Sequence, residues 1–143
     1  MDINVYPAIK SGLETHFDRL FETNIISKIY KPAIVGFEPT NPTYPMLKIE
    51  EIRNTPYADF RGNRETIASL GYKVDIYAKQ KVGVSKQDVA RNIAKYANDY
   101  LTCIGLKQMS WNTIPNDGTN GDLYHIIIMY STSYYEQRKT ILI

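Results

Sequence analysis

Residues 70–78 alternate between apolar and polar side chains, which predicts a half-buried β-strand. One face of this strand carries Tyr72, Val74, Ile76 and Ala78, and the other carries Lys73, Asp75 and Tyr77. Beyond a turn at 82–84, apolar residues recur every three or four positions, which predicts an amphipathic helix that ends at about Ile104. Its apolar stripe consists of Val89, Ile93, Tyr96, Ala97, Tyr100, Leu101 and Ile104. Because such a stripe must be covered, we expect the helix to pack on a sheet that contains strand 70–78.

Local signals mark the ends of the predicted helices. The hydroxyl of Ser85 can accept an amide hydrogen of the first turn, and Gly105 can end the same helix in a left-handed conformation. An earlier helix is predicted to begin near Pro7, whose fixed backbone angle suits a first turn. Its apolar stripe consists of Ile9, Leu13, Phe17, Leu20 and Phe21. Both helices are therefore expected to dock on one core.

Two different segments separate the first helix from strand 70–78. Residues 31–45 contain four prolines and one glycine, which exclude a helix and favour a connector with at most an edge strand at 33–37. Residues 46–53 alternate as a strand until Glu51 and Ile52, where a bulge would reconcile the pattern.

The segment 54–69 is predicted to be a long loop between these two strands. It mixes turn-forming residues with Tyr57, Phe60, Arg61 and Arg64. Long loops in small domains usually have a function or are disordered. We therefore expect this loop to be mobile in the free subunit and ordered on assembly.

The last third of the chain predicts a second hairpin. Strand 106–114 leads into the turn-rich segment 115–121, and the return strand runs over 122–136. Residues 126–129 are apolar on both faces of this strand, so both faces need cover. The order is helix, two strands, helix, two strands. The fold class is therefore predicted as α+β: a single domain over 1–143, with a four-stranded, mainly antiparallel sheet and two helices on one face.

The composition of the chain limits which classes of partner and which cellular compartment are expected. The formal charge of +2 is spread along the chain without a Lys/Arg block, which argues against non-specific or direct sequence-specific nucleic-acid binding. The single cysteine excludes an internal disulfide and suits a reducing compartment. No apolar run approaches the roughly 18 residues of a membrane span, and the N-terminus lacks a secretory pattern. We expect cytosolic synthesis without a membrane anchor.

Candidate chemistry is weak throughout the chain. Cys103 lies near a helix end and is expected to be a buried structural cysteine, while His16 and His125 fall in apolar patterns typical of core or interface histidines. Residues 116–122 resemble a calcium loop, but Ile128 stands where the bidentate glutamate is required, which favours a plain hairpin turn. Glu50 and Glu51 are adjacent on a strand and point to opposite faces. The sequence therefore predicts no catalytic, cofactor-binding or metal site, and no enzyme.

Residues 44–54, the segment that follows them and residues 71–78 resemble the small tail terminator or tail completion proteins of long-tailed bacteriophages. The resemblance covers about 47–134 and is one of element order and sequence style. It implies a ring, usually hexameric, that caps the tail tube, stops its polymerisation and offers a surface to the head. The implied partners are further copies of the chain, the tail tube protein and the head connector protein. The implied location is the virion tail, assembled in the host bacterial cytoplasm.

The predicted interface follows from the loop and from the tyrosine-rich C-terminal third, in which a neighbouring copy would complete the surface. Its residues are Tyr57, Phe60, Arg61, Arg64, Ile127, Met129, Tyr134 and Tyr135. Two alternatives remain open. One is a head-to-tail connector or minor capsid subunit. The other is a monomeric ligand-binding α+β domain, which requires that 31–45 cover the second sheet face.

Overall fold

The structure is a computed structural model that describes residues 5–60, 65–118, 120–135 and 140–142, with side chains except at 56–60, 65–67, 135 and 140–142. The helices are α1 (Tyr6–Glu22) and α2 (Lys86–Cys103), and a short 3₁₀ helix spans Lys28–Tyr30. The strands are β1 (Ala33–Val35), β2 (Met46–Phe60), β3 (Glu65–Lys79), β4 (Lys107–Asp117), β5 (Leu123–Tyr135) and β6 (Thr140–Leu142). The α+β class is confirmed.

The strands form one mixed sheet. Its order is β1-β2-β3-β5-β4, and β6 pairs with β5 beside this path. The four long strands pair with one another in antiparallel fashion, while β1 runs parallel to β2. Two short strands therefore extend the predicted four-stranded sheet in the described part of the chain. The short β1 lies in the predicted edge segment, where the prolines of the connector limit its length.

The sequence signals at the ends of α2 act as predicted. Ser85 Oγ accepts a hydrogen bond from the Asp88 amide at 3.4 Å, and Gly105 takes a φ of 106° after the last turn. The buried residues of α2 are Val89, Ala90, Ile93, Ala94, Ala97 and Leu101. They pack with β3 and β5, so the apolar stripe faces the sheet.

Helix α1 joins the same core. Its buried residues are Ile9, Leu13, Phe17 and Leu20, and they belong to one apolar cluster with α2 and with alternate residues of β2, β3 and β5. The Tyr6 hydroxyl donates a 2.6 Å hydrogen bond to the Ile49 carbonyl. This bond ties the first turn of α1 to β2 at the side of the sheet. Neither described helix is both long and apolar enough to cross a membrane.

The prediction of a loop over 54–69 is wrong for the described residues. Strands β2 and β3 continue through this segment as one long hairpin, in which Asn54 pairs with Leu70 and Thr55 with Ser69. A bulge between Glu51 and Arg53 is confirmed, and a second irregularity follows Pro56. Pairing satisfies the backbone even where turn-forming residues interrupt the apolar pattern, which is why the local sequence misled. Residues 61–64, with Arg61 and Arg64, lie outside the described residues.

Candidate functional site

The face of the sheet that points away from α1 and α2, called here the helix-free face, carries the polar residues of the central strands. Along β3 it presents Lys73, Asp75 and Tyr77, and along β5 it presents His125, Ile127 and Met129. The register places Asp75 opposite Ile127, Lys73 opposite Met129 and Tyr77 opposite His125. This face is the first candidate for a functional surface, because no described helix covers it.

A buried histidine between two carboxylates lies at one end of the helix-free face. His125 Nε2 is 2.8 Å from Asp75 Oδ1, and His125 Nδ1 is 2.9 Å from Asp117 Oδ2. The Tyr77 ring stacks on the imidazole with 4.1 Å between centroids. Asp75 is only 1% exposed and His125 7%. The prediction that His125 is a buried histidine with satisfied partners is therefore confirmed.

Lysines balance part of the carboxylate charge around this histidine. Lys73 Nζ is 3.8 Å from Asp75 Oδ2, an oxygen that has no hydrogen-bond partner among the described residues. Lys48 Nζ lies 3.4 Å from Glu38 and 3.5 Å from Glu50. Burial lowers the pKa of Lys48, but Asp75, Glu50 and Glu38 together raise it above its ordinary value. Burial, followed by the charge of Asp75, raises the pKa of Tyr77. The lysine and the tyrosine hydroxyl thus keep their protons at neutral pH.

This cluster is better suited to structure than to catalysis. Carboxylates occupy both ring nitrogens of His125, so neither nitrogen can take a proton from a substrate without first losing a contact. Asp117 is engaged further, because its Oδ1 accepts from the Gly118 amide at 2.9 Å. Among the described residues, no group of three His, Cys, Asp or Glu side chains could hold a metal ion. The cluster instead fixes β3, β4 and β5 to one another.

The connector between β1 and β2, residues 36–45 of the chain, reaches the helix-free face. Glu38 of the connector forms the ion pair with Lys48, and the charge of Glu38 also raises the pKa of Tyr77, after burial and Asp75. Phe37 beside it is 74% exposed. The connector therefore approaches one end of this face, whereas the ligand-binding alternative named above requires that it cover the face.

The structure separates the predicted interface residues into three groups. Ile127 and Met129 are half-buried on the helix-free face, while their neighbours Ile126 and Ile128 are buried under the helices. Tyr134 is 8% exposed and belongs to the core, so it offers little surface to a partner. Tyr57 and Phe60 lie in β2 and Tyr135 in β5, but their side chains lie outside the described set.

The outer strand β4 carries three exposed apolar residues among polar ones, a feature that sequence reasoning missed. Met109, Trp111 and Ile114 are 58%, 39% and 40% exposed, and they lie on the last strand of the sheet. No described strand pairs with the outer side of β4, so its backbone is open to a partner there. The three apolar residues are visible in the sequence, but their exposure follows from the strand order. We call them the β4 edge patch.

The opposite edge of the sheet is also largely open but differs in character. Strand β1 pairs only with Met46, Leu47 and Lys48, so most of the length of β2 has no described strand on that side. At its bulge, Ile52 is 49% exposed. The two edges therefore present different backbones and different side chains.

Cys103 is exposed, so the prediction of a buried structural cysteine is wrong. Cys103 is the last residue of α2 and lies off the apolar stripe that includes the buried Leu101.

The chain matches no protein-family model and no curated protein. Its function is therefore inferred from the geometry of its own residues and from the resemblance described above.

Proposed function

We propose that this chain is a structural subunit of a bacteriophage tail, which assembles into a ring, caps the tail tube and offers a surface to the head connector. The two unlike open edges of its sheet support ring assembly, and the tail-terminator resemblance supplies the place of that ring in a tail. The proposed core is four long antiparallel strands with two helices on one face, in the order α-β-β-α-β-β, which is the element order that carries the tail-terminator resemblance. The proposed location is the virion tail, after assembly in the host cytoplasm.

Unlike edges favour a ring over a two-fold dimer. When a surface meets a different surface on the next copy, the contact is heterologous, and repetition gives a ring if the rotation closes. Strand β4 is eleven residues long and has no described strand on its outer side, although Pro115 within it lacks an amide hydrogen. The part of β2 beyond Lys48 offers a second edge on the other side. Joining one to the other would continue the sheet between copies and satisfy both backbones.

The side chains of the β4 edge patch suit such a contact. Methionine and tryptophan are enriched at protein interfaces, and an apolar edge strand is a liability in a protein that stays monomeric. Pairing along this edge would cover Trp111 from the helix side, where it lies opposite Ile128, and Ile114 from the helix-free side, where it lies opposite His125. The half-buried Ile127 and Met129 on the helix-free face would then be available for the tube or for the neighbouring copy.

The test is the mass of the purified chain by light scattering, beside circular dichroism. We expect the wild type to form a ring, expected to be hexameric, that binds the ends of purified tail tubes. Trp111→Asp should give a folded monomer, because it places an uncompensated charge in the contact. The matched control is Val82→Asp, since Val82 is an apolar residue fully exposed on the turn before α2. The proposal would be contradicted if the wild-type chain stayed monomeric at high concentration and did not bind tube ends.

One observation favours a second candidate, a monomeric ligand-binding domain. The connector approaches the helix-free face through Glu38 and Lys48, so part of that face is covered within a single chain. Under this reading the β4 edge patch has no partner and Trp111→Asp leaves the mass unchanged. Light scattering therefore distinguishes the two candidates directly.

A further inference from the structure

A cavity of about 410 Å³ lies on another part of the molecule, between the 3₁₀ helix, β1, the end of the connector and the turn before α2. It falls within the roughly 300 to 1,000 Å³ typical of small-ligand sites. Its position is fixed by the start of the parallel β1–β2 pairing, where the Ala33 amide donates to the Pro45 carbonyl at 3.0 Å. No prediction from the sequence pointed to it.

The cavity combines an apolar lining with basic side chains. Pro32, Ala33, Val84 and Val89 contribute apolar surface, and Val89 is buried at the first turns of α2. Ile29 extends this surface and is 46% exposed. Thr43 and Tyr44 add uncharged polar groups to the lining. An occupant would therefore bury hydrocarbon against the protein.

Four lysines line the same cavity, namely Lys28, Lys31, Lys79 and Lys81. Lys31 is paired with Asp18 at 2.9 Å, and Lys79 is 3.8 Å from Asp122. Lys28 and Lys81 form no ion pair with any described residue. No described acidic side chain lines the cavity. The site thus carries uncompensated positive charge beside apolar surface.

We propose that this cavity binds a small organic anion with a compact apolar body, such as a medium-chain carboxylate. The apolar body contacts Val84, Val89 and Ile29, and the anionic group lies near Lys28 and Lys81. Charge complementarity selects this occupant, because a neutral apolar molecule gains nothing from the ammonium groups and a cation is repelled by them. The proposal does not depend on ring assembly, since the cavity is built within one chain.

The test uses octanoate and its cationic match octyltrimethylammonium, with amide NMR shifts of Ala33 and Val84 as the readout. For a ligand of this size we expect octanoate to bind with a Kd on the order of 1 mM. The cation should bind at least about tenfold more weakly. The measurement is repeated on Trp111→Asp, so that failure to form a ring and failure to bind octanoate are separate results.

Variants then test each half of the proposed contact. Replacing both Lys28 and Lys81 by glutamine should raise the Kd for octanoate about tenfold, because each partly screened charge contributes about threefold. Ile29→Ser should also weaken it about threefold through lost apolar contact. The control Lys95→Gln removes the same charge from α2, outside the cavity lining, and should leave the affinity unchanged. No binding, equal binding of the cation, or binding that ignores the double lysine variant would overturn the proposal.

Discussion

The two faces of the sheet are both buried at their centres, but by different means. Under the helices, Val74 and Ile128 are completely enclosed by other apolar side chains. On the helix-free face, Asp75 is equally enclosed, yet its contacts are His125, Lys73 and their neighbours. One pair of strands therefore serves an apolar core on one side and a network of charges on the other. The first depends on shape and volume, and the second on hydrogen-bond partners.

The sharpest test of this comparison introduces the same charge on both faces of β5. Ile128→Asp buries a carboxylate among apolar groups and should destabilise the subunit by more than about 4 kcal/mol, enough to unfold it. Ile127→Asp adds the same carboxylate to the helix-free face, where Ile127 is half-buried. Denaturant unfolding gives the stability of each variant, and light scattering gives its mass.

The Ile127 variant should remain folded and lose tube binding or assembly, if Ile127 is a contact residue as predicted. Its loss of stability should be far smaller than that of Ile128→Asp. Equal losses in the two variants would show that the helix-free face does not accommodate the added carboxylate, whose position lies directly opposite Asp75. Unchanged mass and tube binding in Ile127→Asp would remove Ile127 from the interface.

A second prediction concerns the histidine network. His125→Ala removes both carboxylate contacts and leaves Asp75 buried without its 2.8 Å partner. We expect a loss of about 1.5 to 3 kcal/mol in the free energy of unfolding, the usual cost for hydrogen bonds to charged groups. His16→Ala is the matched control, since His16 forms no ion pair with a carboxylate among the described residues. Equal effects from both substitutions would mean that packing, not the carboxylates, stabilises the fold around His125.

Features that depend on neighbouring residues could be predicted from the sequence. The capping serine at 85, the glycine at 105 and the stripe that includes Ile93 define α2 within a single stretch of chain, and the structure agrees. The bulge at Glu51 was visible for the same reason, because it interrupts a local alternation. Helix capping and periodicity are short-range effects, which a sequence pattern records directly.

Features that depend on pairing between distant residues could not be predicted from the sequence. The continuation of β2 and β3 through 54–60 and 65–69 rests on cross-strand hydrogen bonds, while the residues themselves resemble a loop. The contact between His125 and Asp75 requires the register of β3 on β5, fifty positions apart. The exposure of Trp111 requires the knowledge that β4 is the last strand. Each of these follows from sheet order, which no local pattern specifies.

The smallest expected effect is a pH dependence on the helix side, at the contact between α1 and α2. His16 stacks on Tyr100 with 5.1 Å between ring centroids, and burial lowers the pKa of His16 below its ordinary value of 6.5, partly offset by the Tyr96 backbone. Above that value neither the folded nor the unfolded chain holds the proton. As the pH falls below it, the unfolded chain takes up the proton more readily than the folded chain, so the folded state loses stability. The effect should be modest, because the ring is only partly buried and solvent screens its charge.

His16→Gln should therefore show a flatter dependence of unfolding free energy on pH between about 7.5 and 5.5 than the wild type, as measured by denaturant titration. Parallel curves for the two proteins would show that His16 does not carry this dependence and that its imidazole charges as easily in the folded chain as in the unfolded one.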